Sequence, residues 1–156
     1  MNQPKTIVRN RRAQFDYERL ETFEAGLELT GSEVRSLREG GGQLTDSFAL
    51  LRNGEAWILG LHIKPYSHGN RSNGDPDRRR RLLLHKRQIR YLQEQITQAG
   101  LTVIPFSLYF NDRSLVKVEL VLARGKKAYD KRASLAAKDS RLEVERALKA
   151  HHREQD

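Results

Sequence analysis

Between Phe15 and Leu29 the apolar residues Phe15, Tyr17, Phe23, Leu27 and Leu29 all fall at odd positions, while Glu18, Glu24 and Glu28 hold even ones. That two-residue period predicts a half-buried strand. Thr30 and Glu33 follow at capping-box spacing, which predicts a short helix ending at Gly40-Gly41-Gly42. Ser47–Leu51 and Glu55–Ile63 are apolar runs separated by Arg52-Asn53-Gly54, a hairpin signal because Asn and Gly tolerate positive φ. Pro65 closes the second run.

Residues 64–81 are polar and broken by Gly, Asn and Pro, and end in the basic run Arg78 to Arg81. They predict an exposed, mobile loop. From Leu82 to Ala99 the pattern is helical, with Ile89, Leu92 and Ile96 on one face and Gly100 at the C-cap position. Leu101–Phe110 and Leu115–Leu122 read as two further strands. The expected fold is mainly β: five or six antiparallel strands with one long helix and one or two short ones. A small closed barrel of the oligonucleotide-binding kind suits this count, because closure leaves no open edge; an open α+β sheet is the alternative.

Residues 1–14 carry Lys5, Arg9, Arg11 and Arg12 without an acid and read as a basic arm. After Ala123 large apolar residues thin out. Residues 124–156 hold ten Lys or Arg and six acids, a flexible basic tail too poor in apolar surface to fold alone. The organisation expected is therefore a barrel over residues 1–123 and a tail over 124–156.

The 156-residue chain carries a formal charge of +9, from 29 Lys and Arg against 20 Asp and Glu. Such an excess points to a polyanionic partner. The basic residues recur in the arm, the loop, the long helix and the tail, which favours nucleic acid, where neutralised phosphates release counterions. A membrane surface would require bulky apolar residues beside a basic helical face, and the tail lacks them. Tyr66 and Tyr129 stand near basic residues and are suited to stack on unpaired bases. No apolar run is long enough to span a bilayer, and a cytoplasmic protein is expected.

Candidate chemistry is sparse. The chain has no cysteine, which excludes disulfides, thiolate metal sites and Cys nucleophiles. His62, His68, His85, His151 and His152 lack metal-ligand spacing on any predicted helix. Gly125-Lys126-Lys127 lacks the upstream glycine of a phosphate loop. A binding protein without a cofactor is expected, rather than an enzyme. The pattern alone does not choose between RNA and DNA, nor between a ribosome-associated structural protein and a non-specific single-strand binder.

Several strings narrow this. Asn10-Arg11-Arg12-Ala13 precedes Glu21-Thr22-Phe23-Glu24-Ala25-Gly26 and Leu29-Thr30-Gly31-Ser32-Glu33-Val34-Arg35-Ser36-Leu37-Arg38. Asn53-Gly54-Glu55-Ala56-Trp57, His68-Gly69-Asn70-Arg71 and Leu82-Leu83-Leu84-His85-Lys86-Arg87 follow. Ser107-Leu108-Tyr109-Phe110 and Gly125-Lys126-Lys127-Ala128-Tyr129-Asp130-Lys131-Arg132 complete the series. In this order they resemble the SsrA-binding proteins, or small protein B, of bacteria, from about residue 5 to residue 150.

The resemblance implies a role in trans-translation. The partners it implies are the tRNA-like domain of transfer-messenger RNA, elongation factor Tu, and the small-subunit decoding centre of stalled ribosomes. A monomer is expected. On matching positions it implies RNA binding by Asn10, Glu24, Leu83, His85, Lys126 and Lys127. It implies decoding-centre contact by Tyr129, Asp130, Lys131 and Arg132. Phe15 stands where many members have His, and Leu135 to Ser140 lack the bulky aromatic common after the Asp-Lys-Arg string.

Overall fold

The computed structural model describes residues 5–66 and 74–126. The chain divides into two units, Met1–Gly125 and Lys126–Asp156. The expectations for His68 to Asn70, for the tip of the loop and for the tail beyond Lys126 lie outside the described residues.

The first unit runs β1 (Lys5–Arg9), α1 (Arg11–Asp16), β2 (Tyr17–Leu27), α2 (Gly31–Arg38), β3 (Gly42–Gln43) and β4 (Phe48–Arg52). It continues with β5 (Glu55–Leu59), β6 (His62–Ile63), β7 (Arg80–Leu83), α3 (Lys86–Ala99), β8 (Thr102–Phe110) and β9 (Val116–Gly125). A seven-stranded sheet has the order β1-β8-β9-β2-β7-β5-β4, every neighbouring pair antiparallel. β3 and β6 form a separate pair. The mainly β expectation holds, with three helices. The sheet is not closed by hydrogen bonds: β1 and β4 are its two edges, and β4 packs near β8 without a shared ladder.

Local signals produced the expected structure where they were strong. Thr30 Oγ1 accepts from Glu33 N at 3.2 Å, and Thr30 N donates to Glu33 Oε1 at 2.9 Å, completing the capping box of α2. Arg52 pairs with Glu55 across a two-residue turn in which Asn53 (φ 53°) and Gly54 (φ 74°) are left-handed. Gly100 is left-handed at the end of α3.

Elsewhere non-local pairing overrode the local pattern. Lys5–Arg9 of the presumed arm is a strand: β1 pairs along β8, and Ile7 and Val8 pack on the core. Asn10 then caps α1. The run Leu82–Leu84 is not helical; Leu82 and Leu83 end β7, and α3 starts at Lys86. A short apolar run fits either element, and here pairing with β2 and β5 decides it. The second hairpin strand breaks at Gly60, where φ is 80° and a Cβ would lie 2.8 Å from the Asp46 carbonyl oxygen. The chain then passes into β6.

The basic run Arg78 to Arg81 is an exposed loop only in part: Arg79 and Arg81 are exposed, but Arg80 and Arg81 open β7. Arg80 is fully buried, its Nε 2.5 Å from Glu33 Oε2. Its guanidinium also donates to the carbonyls of Leu61, Arg78 and Pro76 at 2.7, 3.0 and 3.0 Å. Arg78 Nη2 lies 2.5 Å from Glu33 Oε1. Burial pushes the Glu33 carboxyl up, but the bonds from Arg78, Thr30 and Arg80 outweigh it and hold it below the ordinary range. One carboxylate thus caps α2 and ties it to the segment entering β7.

The core is formed by the inward residues of the sheet with α2 and α3, including Leu37, Ile58, Leu82, Leu92, Leu108 and Val118. A smaller cluster of Ala13, Ile104, Phe106, Val121 and Ala123 seats α1. The outward face of β8, β9, β2 and β7 carries the polar residues that concern function.

Candidate nucleic-acid interface

Register alone assembles the outward face. Glu24 on β2 lies opposite Glu119 on β9, and Gly26 lies opposite Lys117. Ser107 and Tyr109 on β8 face Glu119 and Lys117. On the other side of β2, Gly26 pairs with Leu83 of β7, and Trp57 of β5 pairs with Arg81. β7 alternates strictly: Arg80 and Leu82 point inward, Arg81 and Leu83 outward.

Glycine at position 26 has a packing reason. A Cβ there would sit 3.1 Å from the Leu83 Cβ, so its absence lets Leu83 lie across the strand. Leu83 is nonetheless 51% exposed, one of five large apolar side chains left outside among the described residues. His85 caps the start of α3, its backbone N–H donating to Gln88 Oε1 at 3.1 Å. Lys86, Arg87 and Arg90 extend positive charge from there along the helix.

Glu24, Arg81, Leu83, His85, Gln88 and Lys117 line one open groove of about 430 Å³. Three of the residues expected at the RNA, Glu24, Leu83 and His85, therefore meet although 61 positions separate the first from the last. Two cations (Arg81 and Lys117), two acids (Glu24 and Glu55), an exposed apolar side chain and an imidazole line one groove; such a set can contact phosphate, accept from a base amine or ribose hydroxyl, and pack on a base face.

Glu24 is held from the side by Tyr109, whose phenol donates to Glu24 Oε2. Burial, then the bond to Glu24, raises the Tyr109 pKa well above its ordinary value, so the phenol stays a donor. A parallel set holds Glu119, which accepts from Arg19 Nη2 and Ser107 Oγ, both at 3.4 Å. Beyond β5, the Arg79 guanidinium lies 4.9 Å from the centre of the Trp57 ring.

Asn10, also expected at the RNA, does not line this groove. It is 5% exposed, and its amide is spent within the fold. Oδ1 accepts from Ala13 N at 3.1 Å, and Nδ2 donates to the carbonyls of Leu44 and Pro105, each at 3.2 Å. It joins α1 to the backbone at Leu44 and to β8. Lys126 follows the end of β9; Lys127, Tyr129, Asp130, Lys131 and Arg132 lie outside the described residues. The sequence marks Arg81 only as part of a basic run and gives Lys117 and Tyr109 no individual role. The parity of residues 115–122 would have put Lys117 on the polar face, but only the register brings it to Glu24 and Leu83.

Among the described residues no three His, Asp or Glu side chains are arranged to hold a metal ion, and no helix is long and apolar enough to cross a membrane.

Comparison with known proteins bears on the same surface. The SmpB family model, described as "SmpB protein", matches residues 7–150. An SsrA-binding protein of Geotalea uraniireducens is 54% identical over 149 residues, 96% of this chain and 98% of the relative. One from Desulforamulus reducens is 50% identical over 145 residues, 93% and 90% of the two chains. A solved structure described as "tmRNA-SmpB: a journey to the center of the bacterial ribosome" matches with a TM-score of 0.66 at 49% identity. That match covers 82% of this chain and 93% of the other. With the family model spanning most of its length and relatives at half identity over nearly theirs, this chain belongs to the SmpB family of SsrA-binding proteins.

Proposed function

We propose that this chain binds SsrA RNA, the transfer-messenger RNA, and acts with it at the ribosome in trans-translation. Family membership and the likeness to a tmRNA-SmpB structure support this reading. The observation that carries the site assignment is the convergence of Glu24, Leu83 and His85 with Arg81 and Lys117 on one groove. Phosphate contacts from the two cations would set the register, and the carboxylate and Leu83 would read an unpaired or splayed nucleotide. The tRNA-like domain of the RNA is the part expected there. The protein acts by binding, with no chemistry of its own.

Residues 1–123 are read as the RNA-binding body, of the oligonucleotide-binding kind, with β4 lying near β8 where no hydrogen bonds join them. Residues 124–156 are read as a basic tail for the decoding centre and mRNA channel. Lys126 and Lys127 would meet phosphates, Tyr129 would stack, Asp130 would accept from bases or order its neighbours, and Lys131 and Arg132 would neutralise ribosomal RNA. Elongation factor Tu is the expected companion in delivery, the cytoplasm the expected compartment, and the free protein a monomer.

The test of the groove is direct. Glu24→Ala is expected to weaken binding to the tRNA-like domain while leaving the unfolding midpoint unchanged, because Glu24 is exposed. Unchanged affinity would remove Glu24 from the site.

A further inference from the structure

β2 and β9 place Glu24 directly opposite Glu119 on the outward face. Like charges directly opposite across an antiparallel pair destabilise it. No cation sits between them in the register; the neighbouring cross-strand position of β9 is Lys117, opposite Gly26. The two carboxylates are instead separated by tethers on either side. Arg19 and Ser107 take Glu119, and Arg19 is itself fixed by a 2.7 Å bond to Thr22 Oγ1. Glu24 takes the phenol of Tyr109, reaching across β9 from β8. A local rule broken on an exposed sheet face, with dedicated contacts maintaining the conflict, marks a position kept for use rather than for stability.

The kinds of tether differ in a way that matters. Glu119 is bonded by a guanidinium, which neutralises it. Glu24 is bonded by a neutral hydroxyl, which orients it and leaves its full negative charge. Tyr109 is its only hydrogen-bond partner among the described residues. One oxygen is therefore pinned while the carboxylate keeps acceptor capacity toward the groove shared with Leu83 and Lys117.

We infer that Tyr109 is a positioning residue for RNA recognition: its phenol fixes the Glu24 carboxylate as an oriented, un-neutralised acceptor for N–H or O–H donors of the RNA. This rests on the groove reading above and goes beyond it by naming the device that sets the acceptor. Its raised pKa keeps the phenol protonated across the working pH range, so the tether does not titrate away.

The test is a double-mutant cycle with a transcript of the isolated tRNA-like domain as probe, using full-length wild type, Tyr109→Phe, Glu24→Ala and the double variant. Loss of a hydrogen bond to a charged group on an exposed face corresponds to about tenfold in affinity. Tyr109→Phe is expected to weaken binding by about that factor in the wild-type background and by less than about twofold once Glu24 is alanine. The slope of log K against log salt stays unchanged, because no cation is lost. A purely structural tyrosine would weaken binding equally in both backgrounds, and that result overturns the proposal. Full affinity for Tyr109→Phe beside a weakened Glu24→Ala also overturns it while sparing the groove. Full affinity for Glu24→Ala overturns both.

Discussion

Removing the Glu33 carboxylate tests the account of how β7 is held. Arg80 is 0% exposed at its side chain and Glu33 12%, with 2.5 Å between Nε and Oε2. In Glu33→Ala the buried guanidinium keeps its three carbonyl acceptors at Leu61, Arg78 and Pro76 but loses its counter-charge. Breaking a buried pair from one side costs about 3–5 kcal/mol, and the surviving carbonyl bonds favour the lower end. Loss of the bond to Thr30 N adds to this. A total of about 3–4 kcal/mol lowers the thermal midpoint by roughly 10 °C. Arg78→Ala removes a guanidinium that is 34% exposed and is expected to cost under about 1 kcal/mol. The assay is urea unfolding at pH 7, repeated through acid. Because the folded-state pKa of Glu33 is depressed, its contribution is complete above its ordinary value of 4.5 and is lost as pH falls through the folded value. The gap between wild type and Glu33→Ala should close in acid. A gap below about 1 kcal/mol at pH 7, or one that widens in acid, would refute the reasoning.

Asn10→Ala removes the α1 cap and leaves the carbonyls of Leu44 and Pro105 without their donor; it is expected to destabilise by about 2 kcal/mol in denaturant melts. The RNA affinity of its folded fraction should match wild type, and a selective affinity loss would return Asn10 to the interface. Arg81→Ala with Lys117→Ala is expected to reduce the salt slope of RNA binding by up to about two with little change in unfolding midpoint, read by titration across salt concentrations. An unchanged slope would place the phosphates elsewhere.

What the sequence disclosed follows the range of the interactions. The Thr30–Glu33 capping box, the Asn53-Gly54 turn and the Gly100 cap depend on residues a few positions apart, and all three formed as expected. β1 depends on β8, about a hundred positions away, and its five residues carry too short a pattern to distinguish an edge strand from an arm. Arg80 sits in a run of four arginines that looks solvated; its burial depends on Glu33, 47 positions earlier. At the interface, family strings named Glu24, Leu83 and His85; the residue pattern alone reads Glu24 as a solvated strand acid and His85 as a surface histidine at a helix start, and it singles out nothing at Leu83. Arg81, Lys117 and Tyr109 came from register, which no single stretch of sequence encodes. Asn10 lies in a family string, and the structure gives its amide an internal job that the string does not disclose: it caps α1 and bonds the carbonyls of Leu44 and Pro105.

The central claim is that this surface recognises a folded RNA rather than charge alone. Competition binding near physiological salt tests it most directly, with the tRNA-like domain of transfer-messenger RNA set against an ordinary tRNA and an unstructured RNA of equal length. The account requires a clear preference for the tRNA-like domain that shrinks in Glu24→Ala. Equal affinity for all three RNAs would contradict it and leave a general polyanion binder in its place.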